Sequence, residues 1–252
     1  MKIFKKISQL QKWRKSQKKS IGFVPTMGAL HAGHIELVKK AKKKSKLIVV
    51  SIFVNPTQFN SAEDLAKYPR TLENDLKMLK AAKVDAVFLP TEKELYPEGY
   101  RYKVMEEVES KILCGAHRPG HFEGVLTVVM KLLNIVKPDF AFFGEKDFQQ
   151  LRLIQGMADA FFMDLKIVPV ATVREKSGLA LSSRNKRLSQ QGLQTSRVIS
   201  TFLKDKGLDA EEIKRKLLAH GFDVDYVEDH WNRRFVAAYI DGIRLIDNMR
   251  LR

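Results

Sequence analysis

Cysteine is almost absent from this sequence, since Cys114 is the only one among 252 residues. A single cysteine cannot form an internal disulfide bond, and no cluster of cysteine and histidine is present to hold a structural metal. No apolar run approaches the roughly 20 residues that span a bilayer, and the first residues lack the apolar core of a secretion signal. We therefore expect a soluble protein of the reducing cytoplasm that has no membrane partner.

Acidic residues are missing from two segments where basic residues are dense. Residues 1–20 contain eight Lys and Arg, and residues 39–46 contain six Lys, so these segments carry fourteen of the sixteen net positive charges. Apolar residues at helical spacing in the first segment predict an amphipathic helix with a solvated basic face, with a transit peptide as the alternative. These apolar residues are Ile3, Ile7, Leu10 and Trp13. Because the charge excess is local, we interpret it as two solvated helix faces and expect no nucleic-acid partner.

Short apolar runs alternate with amphipathic stretches along the first two thirds of the chain. The runs that predict strands are 21–24, 47–54, 86–89, 140–143 and 167–173. The stretches that predict crossover helices are 35–41, 71–82, 124–136 and 150–161. Such alternation is typical of βαβ units around a parallel sheet. The predicted class is therefore α/β, with a Rossmann-like doubly wound parallel sheet.

The pattern changes beyond about Ser177. Helical stretches at 190–205 and 210–220 precede three short apolar runs, at 224–227, 235–240 and 242–246. Asp241-Gly242 between two of these runs predicts a β-hairpin. We therefore predict two domains, a Rossmann-like domain of residues 1–176 and a smaller α+β domain of residues 177–252.

The strongest local motif is VPTMGALHAGH at residues 24–34, between a predicted strand and a predicted helix. A strand, a glycine turn and a helix start bring unpaired N–H groups and the positive end of the helix dipole together, which suits a phosphate. His31 and His34 are three residues apart and share one face of the helix. Surface caps or half of a metal site are the alternatives, but no third metal ligand lies nearby. The motif predicts a nucleotide-phosphate site.

Two further segments carry polar groups next to turns. FVNPTQF at 53–59 follows the second predicted strand, at the edge where open α/β sheets bind ligands, although an Asn-Pro turn alone would explain it. Asn55 and Gln58 there can hold hydroxyl and carboxylate groups without ionising. RPGHFEGV at 118–125 is a Gly/Pro loop entering a helix, where Arg118 can hold a carboxylate by paired hydrogen bonds.

Two segments supply partners for phosphate groups. FFGEKDFQQ at 142–150 contains Lys146, placed to neutralise phosphate charge, with a salt-bridged surface loop as the alternative. LALSSRN at 179–185 brings two hydroxyls and a guanidinium, which suit a departing pyrophosphate. Adenylyl transfer needs separate contacts to the α-phosphorus and to the leaving pyrophosphate, and the histidine motif and the serine loop would provide them.

In this order and at these intervals, the segments resemble the pantothenate synthetase family over about residues 20–188. The segments are VPTMGALHAGH, VSIFVNPTQF with DLAKYPRTLENDL, HRPGHFEGVLTVV, FFGEKDFQQL and LALSSRN. Residues 225–228 and 244–248 resemble the family more loosely. The resemblance implies a homodimeric ATP-dependent ligase that activates pantoate as an acyl-adenylate and transfers it to β-alanine.

The resemblance also implies a role for individual residues. The implied ATP-binding residues are Met27, Gly28, Ala29, Leu30, His31, Ala32, Gly33, His34, Gly144, Glu145, Lys146, Asp147, Val173, Leu181, Ser182, Ser183 and Arg184. The catalytic residues among them are His31, His34, Lys146, Ser182, Ser183 and Arg184, with His34 as proton donor. Gln58 and Gln150 would hold pantoate, Gln58 would also lie beside β-alanine, and Asn55 and Arg118 would line the same end of the site.

Two positions depart from the family pattern. Asn74 stands where relatives often have an acid, so a Mg²⁺ contact made through ATP would be either weakened or passed to Asp75. The region between Glu228 and Phe235 is short compared with relatives, which trims the second domain. That domain is expected to close over the ATP- and pantoate-binding domain and exclude water from the adenylate.

Two other functions compete with this interpretation. Another nucleotidyltransferase could share the HxGH motif and the serine loop, but FVNPTQF and RPGHFEGV have no evident purpose in such enzymes. A basic RNA-binding protein would account for the net charge, but no RRM or KH signature is present and the excess charge lies outside the motifs.

Overall fold

The structure, a computed structural model, describes residues 1–251. A sheet of six strands forms its centre: β1 Lys2–Phe4, β2 Ile21–Thr26, β3 Leu47–Ile52, β4 Ala86–Phe88, β5 Phe140–Gly144 and β6 Lys166–Val170. The strand order is β1-β4-β3-β2-β5-β6, and each neighbouring pair is parallel. The predicted doubly wound parallel sheet is confirmed.

Helices cover both faces of this sheet, because parallel strands need crossover connections. They are α1 Ile7–Lys15, α2 Ala32–Lys44, α3 Ala62–Lys67, α4 Leu72–Ala81, α5 Glu92–Leu95, α6 Cys114–His117, α7 His121–Val136 and α8 Phe148–Ala160. Adjacent strand residues enter separate buried clusters, Phe23 and Val49 in one, Val24 and Val50 in the other. Burial on both faces explains why the strands are continuous apolar runs.

The sequence motifs lie at the edge of the sheet where the connections after β2 and β5 run in opposite directions. Strand β2 pairs with β3 on one side and with β5 on the other, so the loops that follow β2 and β5 leave a crevice between them. The HxGH motif follows β2, and the loop with Lys146 follows β5.

A smaller unit follows β6. It contains α9 Gln190–Lys204, α10 Ala210–Ala219 and an antiparallel sheet of β7 Asp223–His230, β8 Arg233–Ile240 and β9 Ile243–Arg250. The predicted hairpin is present, with positive φ at Asp241 and Gly242. A second two-residue turn at Trp231 and Asn232, also with positive φ, joins β7 to β8. That tight turn is the shortened region noted in the sequence.

The first segment differs from the prediction. Ile3 lies on β1, which pairs with β4 at the sheet edge, and its side chain is 45% exposed. Only Ile7, Leu10 and Trp13 belong to the helix, which begins at Ile7. A strand of three residues is too short to show an alternating pattern. The helical spacing of Ile3 and Ile7 therefore places the predicted start of the helix one turn too early. Across residues 1–251, no helix has both the length and the apolar character that crossing a membrane requires.

Candidate active site

A cavity of about 770 Å³ opens at the carboxyl ends of β2, β3 and β5 and is lined by both units of the chain. The predicted site residues that line it are Met27, His31, Gly33, His34, Asn55, Gln58, Arg118, Gly144, Lys146, Asp147, Gln150, Val173, Leu181, Ser182, Ser183 and Arg184. The predicted site residues that do not line it are Gly28, Ala29, Leu30, Ala32, Glu145 and Asp75. Segments far apart in the sequence therefore meet around one cavity.

The turn after β2 has a constrained backbone. Gly28 and Ala29 both have positive φ, of 81° and 49°. A Cβ atom on Gly28 would lie 3.1 Å from a carboxylate oxygen of Asp75, so the position has little room for a side chain. The same carboxylate accepts hydrogen bonds from the main-chain N–H groups of Ala29 and Leu30, at 2.9 and 2.8 Å. A buried acid from α4 thus fixes the turn that leads into the HxGH motif.

The two histidines form a reciprocal cap at the start of α2. Nδ1 of His31 accepts from the N–H of Gly33, and Nδ1 of His34 accepts from the N–H of His31. Because a neutral imidazole carries one proton, these bonds place it on Nε2 of each ring. Burial and the charge of Lys146 lower the pKa of His31 to about 4. Burial, His31 and Lys146 lower the pKa of His34 to about 3. Both rings are neutral Nε2–H donors at neutral pH.

Asn55 orients Gln58. Its Nδ2 donates to Oε1 of Gln58 and to the carbonyl of Gly124, each at 3.1 Å. Its Oδ1 accepts from Tyr96 at 2.9 Å and from Thr57 at 3.1 Å. Oε1 of Gln58 thus already has a partner, whereas Nε2 of Gln58 has none among the described residues. Gln58 therefore presents N–H donors to the cavity, which suit the oxygens of an organic acid.

The start of α7 holds Arg118 beside Gln58. Nη2 of Arg118 donates to the main-chain carbonyl of Gln58 at 3.1 Å, and Nη1 lies 3.0 Å from Nε2 of His121. Nδ1 of His121 contacts the same carbonyl at 2.8 Å, so its proton is on Nδ1. Burial, followed by the charge of Arg118, lowers the pKa of His121 to about 3. His121 belongs to the RPGHFEGV motif, but the motif alone does not show that its side chain positions Arg118.

The two consecutive glutamines of α8 have different surroundings. Gln149 is buried, accepts from the N–H of Cys114 and donates to the carbonyls of Glu109 and Ile112. Both residues border the cavity, but the side chain of Gln150 is half-buried and has no hydrogen-bond partner among residues 1–251. The amide of Gln150 is therefore the one free to bind a ligand, and its contact with pantoate stays a prediction.

The serine loop crosses to the first unit. Ser183 lies 3.4 Å from the hydroxyl of Tyr68, and Arg184 forms an ion pair of 2.9 Å with Asp64 on α3. Arg187 binds the other oxygen of Asp64 at 2.8 Å. These contacts hold Ser182–Arg184 at the cavity that both histidines also line. Tyr68 and Asp64 line the cavity as well. No sequence motif indicates their role, because their partners lie more than a hundred residues away.

The predicted Mg²⁺ contact of Asp75 is not supported by this geometry. Its side chain is 1% exposed, and besides the two main-chain bonds it accepts from the hydroxyl of Thr71. Asn74 is exposed and does not line the cavity. Within residues 1–251, no group of three or more His, Cys, Asp or Glu residues is arranged to hold a metal. Asp75 instead accepts the hydrogen bonds that fix the turn leading into the HxGH motif.

Fold and site together define a class. Parallel α/β architecture, an HxGH motif at a helix start, a lysine loop and a serine–arginine loop around one cavity are the features of an ATP-using nucleotidyltransferase-type enzyme. The chain belongs to the pantoate-beta-alanine ligase family, whose model matches residues 2–250. It is accordingly an ATP-dependent ligase.

Similar proteins extend over the whole chain. A pantothenate synthetase of Bdellovibrio bacteriovorus is 55% identical over 249 residues, 99% of each chain, and one of Legionella pneumophila is 48% identical over all of both chains. The structure of a pantoate-beta-alanine ligase from Francisella tularensis, complexed with beta-gamma ATP and beta-alanine, matches with a TM-score of 0.96 and 44% identity. It covers 100% of this chain and 98% of that one. The pantothenate synthetase of Thermus thermophilus gives a TM-score of 0.91, 37% identity, and coverage of 100% and 99%.

Proposed function

We propose that this chain condenses pantoate with β-alanine using ATP, through a pantoyl-adenylate, and releases AMP and pyrophosphate. The observation that carries the proposal is that a single cavity brings two kinds of side chain together. It is lined by histidine, lysine, serine and arginine side chains suited to phosphate, and also by the amides of Gln58 and Gln150 and by Arg118, which suit organic acids.

In the first step, the pantoate carboxylate attacks the α-phosphorus of ATP, and the bond to pyrophosphate breaks. Negative charge grows on the departing group, and preorganised donors stabilise it. His31, His34 and Lys146 act from one side, and Ser182, Ser183 and Arg184 act from the other. The substrate's own carboxylate is the nucleophile, so no protein side chain needs to form a covalent bond.

His34 acts first as a hydrogen-bond donor. With a pKa of about 3 in the free protein, it carries no additional proton to transfer near neutral pH. The negative charge of a bound triphosphate favours the protonated ring and raises this pKa. Its predicted role as proton donor therefore requires bound nucleotide.

In the second step, the amine of β-alanine attacks the carbonyl carbon of the mixed anhydride. The new C–N bond forms, the C–O bond to AMP breaks, and the amine loses a proton. The carboxylate of β-alanine takes no part in the chemistry, and Arg118 beside Gln58 offers it a charged partner.

Mg²⁺ fits this chain only as a companion of ATP. The carboxylate of Asp75 is occupied by three donors, so the protein side supplies no metal site there. Mg²⁺ would be held by phosphate oxygens and would neutralise part of their charge.

The decisive experiment is isotope exchange between pyrophosphate and ATP. Exchange is expected with pantoate alone, and β-alanine should not be required. Replacing His34 or Lys146 by alanine should lower exchange by roughly two to three orders of magnitude, the cost of one preorganised donor. Exchange that depends on β-alanine would contradict the adenylate mechanism, and normal exchange in both folded variants would contradict the assigned phosphate site.

We further propose a cytoplasmic homodimer with no nucleic-acid or membrane partner. The side chains of Met105, Val108 and Phe161 are more than half exposed and border one surface groove, and the adjacent Phe162 is 95% exposed. Exposed apolar groups grouped in this way support a protein interface. Light scattering during gel filtration should give twice the chain mass, and a Phe161→Lys, Phe162→Lys variant should shift it toward the monomer.

A further inference from the structure

The loop that carries Lys146 is held by one side chain of the second unit. Nδ2 of Asn248, on β9, donates to the main-chain carbonyls of Glu145 and Lys146, each at 2.9 Å. Asn248 is 2% exposed and 102 residues from Lys146 in the chain. Both protons of its amide nitrogen are therefore used on the loop that follows β5.

The orientation of this amide is determined by its other end. Oδ1 of Asn248 accepts from Nη1 of Arg233, and Nη2 of Arg233 pairs with the carboxylate of Glu145. A guanidinium has only donors, and a carbonyl has only acceptors, so a flipped amide would oppose like groups at both ends. Arg233 is 5% exposed and lies over the ring of Phe148 at 4.1 Å, at the start of α8.

The loop needs an external partner because it is short and begins with glycine. Residues 145–147 form a single 3-10 turn after Gly144, which has no side chain to cap it. Lys146 must nevertheless place its charge beside both histidines, where it contributes to lowering the pKa of each. The hydrogen bonds from Asn248 restrict the two peptide groups that flank the Cα of Lys146.

We propose that Asn248 is a positioning residue for Lys146, through which the second unit sets the phosphate end of the active site. The second unit thus does more than cover the cavity, since opening it would break the support of the lysine loop. Asp247, next to Asn248, forms a bidentate pair with Arg174 at 2.6 and 2.9 Å and strengthens the same junction. This inference rests on the proposed role of Lys146 in the ligase reaction.

The test is a double-mutant cycle between Asn248→Ala and Lys146→Ala, measured as pantoate-dependent pyrophosphate exchange and as overall turnover. We expect Asn248→Ala to lower kcat roughly tenfold to a hundredfold, as misplacement of a reacting group by about 1 Å does. The KM for β-alanine should stay near the wild-type value. In the Lys146→Ala background, Asn248→Ala should lower kcat by less than about threefold, because the effects of residues that act as a unit are not additive.

A second variant keeps the test valid if Asn248→Ala does not fold. Asn248→Asp keeps the size of the side chain and a partner for Arg233 but cannot donate to the two carbonyls, and it should show the same loss of kcat. Asn134→Ala is the matched control, since Asn134 is exposed on α7 and donates to one main-chain carbonyl. Its turnover should equal that of the wild type.

Two results would overturn the inference while leaving the proposed function intact. One is a double variant whose loss of kcat equals the product of the losses in Asn248→Ala and Lys146→Ala. The other is wild-type exchange in folded Asn248→Asp. Wild-type exchange in Lys146→Ala would contradict the assigned phosphate site and the inference with it. The two failures are therefore distinguishable.

Discussion

The carboxylate of Asp75 lies 2.9 Å from the main-chain nitrogen of Ala29, although 46 residues separate the two in the chain. Ala29 has a φ of 49°, in a region that residues with a Cβ seldom adopt. An ionised acceptor with bonds to two successive N–H groups compensates for this strain. The turn that precedes the HxGH motif is thus stabilised by α4 as well as by its own sequence.

Replacing Asp75 by asparagine should therefore act on ATP binding through the turn. The variant loses a charged acceptor, and an amide can accept at only one of its two ends. We expect the free energy of unfolding to fall by roughly 2 to 3 kcal/mol, the scale of hydrogen bonds to a charged group. The KM for ATP should rise, and the Mg²⁺ concentration for half-maximal rate should be unchanged. Urea denaturation and a Mg²⁺ titration at saturating ATP measure these outcomes.

Asn74→Ala provides the control, since Asn74 precedes Asp75 and is exposed. It should leave stability, ATP affinity and Mg²⁺ dependence close to wild type. A large shift in Mg²⁺ dependence for Asp75→Asn, without loss of stability, would restore the metal-binding interpretation that the sequence suggested.

Tyr96 supports Asn55, which orients the proposed pantoate-binding residue Gln58. Its hydroxyl donates to Oδ1 of Asn55 at 2.9 Å, and burial raises the pKa of Tyr96 to about 12, so it stays a donor. Tyr96→Phe removes one hydrogen bond and keeps the packing. A loss of about 0.5 to 1.5 kcal/mol predicts a twofold to tenfold rise in the KM for pantoate, with little change in the KM for ATP.

Tyr100→Phe is a matched control for this change. Tyr100 packs edge-on against Tyr96, and its hydroxyl contacts Glu123 rather than Asn55. Its pantoate KM should be that of the wild type. Equal effects of the two substitutions would show that the change acts through packing and not through Asn55.

The motifs could be predicted from the sequence because each is a contiguous segment, in which a strand end is followed by a turn and a helix start. The HxGH motif and Lys146 meet at one edge because parallel strands end there. The distant residues that hold these motifs in place could not be predicted. Asn248 supports Lys146 from 102 residues away, and nothing in either segment indicates the other. The family resemblance implies a metal contact for Asp75, but a sequence does not show which N–H groups already bind a carboxylate.

The buried histidines predict how stability depends on pH. Burial lowers the pKa values of His34 and His121 to about 3 in the folded protein, from the ordinary histidine value of 6.5. Between these values the unfolded chain binds more protons, so the folded state loses stability as the pH falls below about 6.5. Each histidine should contribute about 1.4 kcal/mol per pH unit once the unfolded side chain is protonated.

Urea denaturation at pH 7, 6 and 5 measures this loss. His121→Gln cannot titrate and should reduce the slope between pH 6 and 5 by roughly 1 kcal/mol per unit relative to the wild type. The comparison is confined to this range because carboxylates titrate below it. An unchanged slope in the variant would show that His121 is already charged in the folded protein.

The lysines at the end of α2 test whether the basic charge serves the reaction. The helix begins at the active site, and Lys40, Lys43 and Lys44 are exposed six to ten residues beyond His34, roughly 9 to 15 Å along the helix axis. At physiological salt, charges beyond about 8 Å are largely screened.

Replacing all three lysines by glutamine should therefore leave turnover within about twofold of the wild type. Stability should fall by about 0.3 to 1 kcal/mol, because Lys43 and Lys44 lie in the last turn and interact favourably with the helix dipole. Any RNA bound by the wild type should dissociate as salt rises, as nonspecific phosphate contacts do. A sequence-selective RNA complex that survives moderate salt and is lost in the glutamine variant would instead give the charge a dedicated partner. Filter binding over a salt series, beside turnover assays in the same buffers, separates a charge that serves solubility from one that serves recognition.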